Sequence, residues 1–149
     1  TSSEVIERYR AELREDVELF TYIQFLFFRQ WEALKAYIHS LGIRIIGDLP
    51  IYVAMDSADV WAEPEMFQLD EHNVPTEVSG VPPDCFSEDG QLWGNPLYNY
   101  EAMARDGFGW WIRRIGGAQK LYDVIRIDHF RGFDEYYSIP FGACRSSAC

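Results

Sequence analysis

Cysteine is scarce in this 149-residue chain, and none of it stands at metal-binding spacing. There are three, Cys85, Cys144 and Cys149, with no C-x-x-C pair. An odd number argues against a disulfide framework, and a zinc site built from cysteines alone is excluded. A reducing, cytoplasmic setting is the expectation. Long hydrophobic runs are missing too. The most apolar stretch, residues 19–28, is interrupted by Gln24 and reaches about half the length that crosses a bilayer. The first residues, Thr1-Ser-Ser-Glu-Val-Ile-Glu-Arg8, have neither a basic nor an apolar leader segment, so no signal peptide is expected. Basic residues are sparse in the middle of the chain. Between residues 47 and 107 there are 13 acidic side chains and one base, Arg105. With a net charge of −11, nucleic acid and anionic membrane surfaces are poor partners, since both need a basic face. No glycine-rich phosphate loop is present, because Gly116-Gly117 lacks both the spacing and the following Lys-Ser/Thr.

What is present suits an ordered domain. The chain is 48% hydrophobic and 16% aromatic, enough to form a core. It is nevertheless too short for a complete (β/α)8 barrel, which takes about 200 residues at least. Residues 4–41 read as helix. Phe20, Ile23, Phe27, Trp31, Leu34, Ile38 and Leu41 form one stripe at 3.6-residue spacing, and a break is expected near Glu15–Asp16. Gly42 falls where a left-handed C-terminal residue belongs. The β-branched run 43–46 reads as a buried strand ended by Gly47-Asp48, and Asp56-Ser57 as the cap of a short helix over 58–61. Residues 63–99 hold five of the seven prolines and read as a long connection without regular structure, ordered by interleaved aromatic rings. A helix over 101–116, interrupted by Gly107-Phe-Gly109, precedes a second short buried strand, 124–128, again ending on an aspartate. Helix, strand, helix, strand implies a parallel α/β arrangement.

Asp48 and Asp128 therefore stand at strand ends, where ligands of parallel α/β folds sit. Paired carboxylates there serve as acid, base or nucleophile. The alternative is that they cap helices or bind loop amides. Arg126, two residues before Asp128, shares its face of the strand and would keep it ionised; a purely structural ion pair is the alternative. His129 stands at the strand exit. Trp93-Gly-Asn-Pro96 suits a sugar, since flat rings cover the CH face of a pyranose while Asp and Asn meet its hydroxyls. Core packing is the competing role for Trp93. Cys85 has no His partner in sequence, and His39 and His72 read as surface residues.

Four stretches in order carry a resemblance: Gly47-Asp-Leu-Pro-Ile-Tyr-Val53, Gly80-Val-Pro-Pro-Asp-Cys-Phe-Ser87, Gly90-Gln-Leu-Trp-Gly-Asn-Pro-Leu-Tyr98 and Tyr122-Asp-Val-Ile-Arg-Ile-Asp-His-Phe-Arg-Gly-Phe133. Together they resemble the 4-α-glucanotransferase family, the amylomaltases or disproportionating enzymes of the α-amylase clan. The resemblance spans roughly residues 20–142. It implies part of a (β/α)8 barrel with about two barrel strands, and a substrate loop over 63–99. It implies a retaining transfer of α-1,4-glucan segments between maltooligosaccharides or starch- and glycogen-derived glucans, with no cofactor and no metal. By resemblance Asp128 is the nucleophile and Arg126 its charge partner. Asp48, Asp84, Phe86, Trp93 and His129 are substrate contacts. The chain departs from the family at Cys85, where many relatives carry an aromatic residue, at Tyr137, where a Trp is expected, and after Gly142. The general-acid glutamate and second aspartate of the family have no counterpart here, and Glu135 follows the nucleophile too soon to stand in. The chain alone is therefore expected to be inactive. Two other readings are a non-catalytic glucan-binding remnant and an acidic interaction protein using the 19–31 stripe.

Overall fold

The computed structural model describes residues 3–85 and 87–142. The chain divides into two compact units, Thr1–Ile45 and Ile46–Cys149. Among the described residues no helix is long and apolar enough to cross a membrane.

The first unit is helical. Helix α1 runs Ser3–Glu12 and α2 runs Arg14–Ser40. The break falls at Leu13 and not at Glu15–Asp16. Leu13 leaves helical geometry (φ −103°, ψ 24°), yet its N–H still donates to Tyr9 O and its carbonyl still accepts from Val17 N–H, both at 2.9 Å. No glycine or proline marks such a distortion in advance. Glu15 and Asp16 instead occupy the first turn of α2, where negative charge complements the helix dipole. The far end closes as anticipated. Gly42 (φ +74°) donates to His39 O at 2.9 Å, and Ile43 donates to Ile38 O at 3.2 Å. These two bonds form a Schellman closure. No residue of α2 is buried; Phe20, Ile23, Phe27, Leu34 and Leu41 of its apolar stripe are exposed.

The second unit has an α/β architecture. Strand β1 runs Ile46–Leu49, followed by α3 (Ala58–Ala62) and a 3-10 turn over Pro64–Met66. Then come β2 (Glu77–Val81), β3 (Gln91–Pro96), α4 (Tyr100–Arg105), α5 (Gly109–Leu121) and β4 (Val124–Ile127). A 3-10 turn over Phe130–Phe133 leads to β5 (Tyr137–Pro140). Strands β1 and β4 pair in parallel, Ile46 with Val124 through Leu49 with Ile127. Strands β3, β2 and β5 form an antiparallel sheet in that order.

Three expectations need correction. The first strand starts at Ile46, not 43, because the Ile43 amide is committed to closing α2. It runs through Gly47 and Asp48 because the Tyr122 ring packs onto Gly47 and takes the space of a side chain. It is not a continuous buried run either. Gly47 and Leu49 are buried, while Ile46 and Asp48 on the other face are exposed. The segment 63–99 contains both β2 and β3. Pro82, Pro83 and Gly90 lie in the β2–β3 connection, and Pro96 closes β3 on the sheet edge, where a missing N–H is tolerated. The interruption expected at Gly107-Phe-Gly109 is where α4 and α5 separate, but the second helix runs on to Leu121 and not to 116. Asn99 caps α4 through Ala102 N–H at 3.1 Å, and Asp106 Oδ2 accepts from Trp110 N–H at 3.2 Å in the first turn of α5. Strand β5 had no anticipated counterpart. The cap of α3 is Ser57, whose Oγ accepts from Val60 N–H at 3.3 Å.

The core of this unit is aromatic. Tyr98, 1% exposed, sits with its ring centroid 5.3–5.8 Å from those of Tyr52, Phe67, Trp110 and Trp111. Leu49, Ile51, Met66, Leu97 and Met103 fill the space around it. Each such side chain contributes about 1.5–3 kcal/mol by leaving water.

The glycines predict contrasting outcomes. A Cβ at Gly47 would overlap the Tyr122 ring, so Gly47→Ala should cost about 1–3 kcal/mol, read as a lower urea midpoint at unchanged slope. Gly116 lies in α5 with nothing within 4 Å of its would-be Cβ, so Gly116→Ala should stabilise by up to about 1 kcal/mol, read as a higher urea midpoint.

Candidate active site

The parallel register sets Asp48 beside Arg126 on the exposed face of the β1–β4 pair. Arg126 Nε donates to Asp48 Oδ1 at 3.0 Å and Nη2 to Asp48 Oδ2 at 2.5 Å, a two-pronged contact. The same Nη2 lies 3.4 Å from Asp128 Oδ1. Two carboxylates thus converge on one guanidinium. Arg126 is held even more firmly in its charged form, first by its hydrogen bond to Asp48, then by the charges of Asp48 and Asp128. All three side chains are more than half exposed. Water screens the attraction, so the cluster contributes orientation more than stability. The strand-face argument for Arg126 and Asp128 holds. The closer partner of Arg126 is nonetheless Asp48, which lies within β1 and not at its end.

Asp128 follows β4 directly, and its N–H donates to Leu49 O at 3.1 Å. This bond continues the β1–β4 ladder by one residue. The chain then turns at His129 (φ 50°), which throws the imidazole toward Trp93; the two rings meet edge to face at 4.9 Å. Trp93 is fixed from its other end, its Nε1 donating to Gln91 Oε1 at 2.9 Å. A cavity of about 210 Å3 opens between these groups, lined by Pro50, Ile51, Tyr52, Trp93, Asn95, Asp128 and His129. Of the residues read from the sequence, Asp128, His129 and Trp93 therefore meet in one cleft, with Asp48 and Arg126 tied to its carboxylate.

Asp84 lies elsewhere. With His129 it lines a second cleft of about 370 Å3, whose remaining polar groups are Arg131, Glu135, Tyr136 and Tyr137. Its Oδ1 accepts from Ser87 N–H at 2.9 Å, so part of the carboxylate serves to shape its own loop. His129 borders both clefts. Glu135 is engaged by Arg131 at 2.7 Å. Phe86, Cys144 and Cys149 lie outside the described residues; Cys85 is an exposed free thiol. Among the described residues no group of three or more His, Cys, Asp or Glu could hold a metal ion.

Sequence reasoning passed over Tyr52 and gave Asn95 only a general part. The signal for Tyr52 was present in Pro50-Ile-Tyr-Val53, where an aromatic residue stands three positions past the strand end. Tyr52 is 8% exposed, and its ring lies 6.3 Å from that of Trp93.

With this geometry established, comparison with known proteins is informative. Residues 1–148 match the family model described as 4-alpha-glucanotransferase, and the chain belongs to that family. It is 59% identical over 131 residues to the 4-alpha-glucanotransferase of Thermus thermophilus, a match covering 88% of this chain and 26% of that protein. It is 51% identical over 141 residues to the 4-alpha-glucanotransferase of Clostridium butyricum, covering 94% of this chain and 29% of that one. Among solved structures, the amylomaltase from Streptococcus agalactiae in complex with acarbose superposes with a TM-score of 0.91 at 46% identity, over 96% of this chain and 29% of that one. The chain thus spans 26% to 29% of the length of these relatives.

Burial governs the phenols near the cleft. Tyr52 is pushed up to about 12, first by burial and then by the nearby phenols of Tyr100 and Tyr136; Tyr98 and Tyr100 are also raised by burial. The folded state therefore favours the protonated phenol. The corresponding stability is fully present below the unfolded value of about 10. It is lost as pH rises toward 12. An absorbance titration at 295 nm should show these tyrosines ionising late and together with unfolding. Their ionisation near pH 10 in a still-folded protein would contradict the packing.

Proposed function

We propose that this chain is the nucleophile-bearing part of a cytoplasmic 4-α-glucanotransferase, with β1 and β4 as neighbouring strands of a (β/α)8 barrel. The observation that carries the reading is the convergence of Asp48 and Asp128 on Arg126 beside a cleft walled by Tyr52, Trp93 and His129. The substrate is a maltooligosaccharide or a starch- or glycogen-derived α-glucan. The parallel pairing supports the barrel reading, since active sites of such barrels lie beyond the strand ends. Membership of the family and likeness to an amylomaltase solved with acarbose support the substrate class.

The chemistry is a double displacement. An Asp128 oxygen attacks the anomeric carbon of a glucosyl unit as the bond to the departing glucan's O4 breaks. That oxygen leaves with a proton from a general acid. A 4-hydroxyl of a second glucan then attacks the same carbon, gives up its proton to the same acid–base residue and releases Asp128. Arg126 holds negative charge in place on the carboxylate side. Trp93 and Tyr52 offer flat surfaces to the sugar's CH face, and Asn95 and His129 meet its hydroxyls. Asp48 orients Arg126, and Asp84 and Phe86 of the substrate segment 63–99 are further glucan contacts. The second carboxyl belongs outside these 149 residues, in keeping with the share of the relatives that the chain spans. On its own the chain then binds glucan without turning it over, as a binding remnant would.

In the full natural polypeptide carrying this chain, Asp128→Asn should lower glucose release from maltotriose by at least about a thousandfold, the scale on which losing a covalent nucleophile acts. Near-normal transfer would sink the assignment.

A further inference from the structure

Beyond β1 the main chain leaves the sheet at Pro50, which has no N–H with which to continue a ladder. The carbonyl groups of this exit segment are met by side chains from more distant parts of the chain. Arg114, half-buried in α5, donates Nη2 to Pro50 O at 2.7 Å and Nη1 to Ile51 O at 3.2 Å. Tyr98 Oη donates to Ile51 O at 2.5 Å and accepts from Arg114 Nη1 at 3.0 Å. Asn95 Nδ2 donates to Val53 O at 2.9 Å. The guanidinium carbon of Arg114 lies 5.2 Å from the ring centroid of Trp110 and 5.3 Å from that of Trp111, so two buried indoles orient the fork.

This clamp holds one wall of the cleft. Tyr52 belongs to the clamped segment, and its ring lies 5.8 Å from Tyr98 and 6.3 Å from Trp93. Leu49, which precedes the segment, accepts the N–H of Asp128 at 3.1 Å. A shift of the Pro50 and Ile51 carbonyls would therefore move both the aromatic wall and the reacting carboxylate. Arg114 does not line the cleft itself.

We infer that Arg114 is a positioning residue for the glucan site: its planar fork, seated on Trp110 and Trp111 and joined by Tyr98, fixes the carbonyls of Pro50 and Ile51 and through them Tyr52 and Asp128. The inference rests on the reading of this cleft as the glucan site. Lysine is no substitute, because one ammonium on a flexible stem cannot serve two consecutive carbonyls in a set plane. Misplacement by about 1 Å is enough to cost up to about a hundredfold in rate.

The test compares wild type, Arg114→Lys, Arg114→Met and Tyr98→Phe in the full natural polypeptide. It uses steady-state kinetics on maltotriose, acarbose affinity by calorimetry, and thermal midpoints. Arg114→Met keeps an apolar stem against the indoles and removes both donors. It should raise KM and weaken acarbose by about tenfold, with kcat falling as well. Arg114→Lys should lie between it and wild type, and Tyr98→Phe should show a smaller change of the same kind. A loss of folded protein scales kcat but leaves KM and acarbose affinity untouched, so those two readouts separate positioning from bulk stability. Should Arg114→Met fail to fold, Arg114→Lys and Tyr98→Phe decide on the same readouts. KM and acarbose affinity within twofold of wild type in the folded variants would overturn the inference. A wild-type protein that neither binds acarbose nor acts on maltotriose would instead overturn the glucan reading itself, and the inference with it.

Discussion

The register of one short parallel pair sets the arrangement of side chains at the candidate site. With Ile46 beside Val124 and Leu49 beside Ile127, Asp48 stands across from Arg126 and the Leu49 carbonyl receives the Asp128 amide. Side chains alternate faces along a strand, so a slip of one residue would turn Asp48 to the face occupied by Gly47 and Leu49, where the core lies. Two features oppose such a slip. The Tyr122 ring occupies the space above Gly47 and accepts no side chain there, and Leu49 is buried in the aromatic cluster. The carboxylate cluster is thus a consequence of packing on the opposite face. Its own exposed ion pairs are too well hydrated to dictate the register.

The same division separates what the sequence disclosed from what it concealed. Gly42, Ser57 and the existence of a strand near 124–127 were readable because each is decided within a few residues: a left-handed closure, a capping hydroxyl, a β-branched run; that the strand is half-exposed and not buried was not. The approach of Arg126 to Asp128 was readable for the same reason, the two being two residues apart at the end of β4. The antiparallel sheet was not, because β2 gains its partners from β3 and from β5, with Glu77 paired to Pro140. Gly80 illustrates the difficulty. In sequence it looks like a loop residue, yet it lies within β2, where the Gln91 carbonyl and the Ile139 side chain leave no room for a Cβ. Arg114 gave no local signal at all, since its partners Pro50 and Ile51 lie far upstream in the chain.

The buried Tyr98 hydroxyl is satisfied by the surrounding elements, whereas the buried Trp111 Nε1 beside it has no hydrogen-bond partner among the described residues. Tyr98 carries its hydroxyl into the core only because the Ile51 carbonyl and Arg114 meet it there. Left unpaired, that hydroxyl would carry a desolvation cost of about 1–3 kcal/mol. One aromatic residue therefore joins the stability of the core to the shape of the cleft wall. The ring packs with Phe67, Trp110 and Trp111, and the oxygen holds the turn that presents Tyr52.

The unequal sharing of Arg126 also bears on how the two aspartates divide their work. A carboxylate gripped by both prongs of a guanidinium has its oxygens committed and its direction set, which suits an orienting group and hinders nucleophilic attack. Asp48 is in that condition. Asp128 feels the same cation through a single, longer contact at 3.4 Å and borders the cleft. On the proposed mechanism this is the useful arrangement. The reacting carboxylate keeps an electrostatic partner without surrendering the oxygen that must approach the anomeric carbon. The guanidinium cannot swing fully onto Asp128, because Asp48 already holds it.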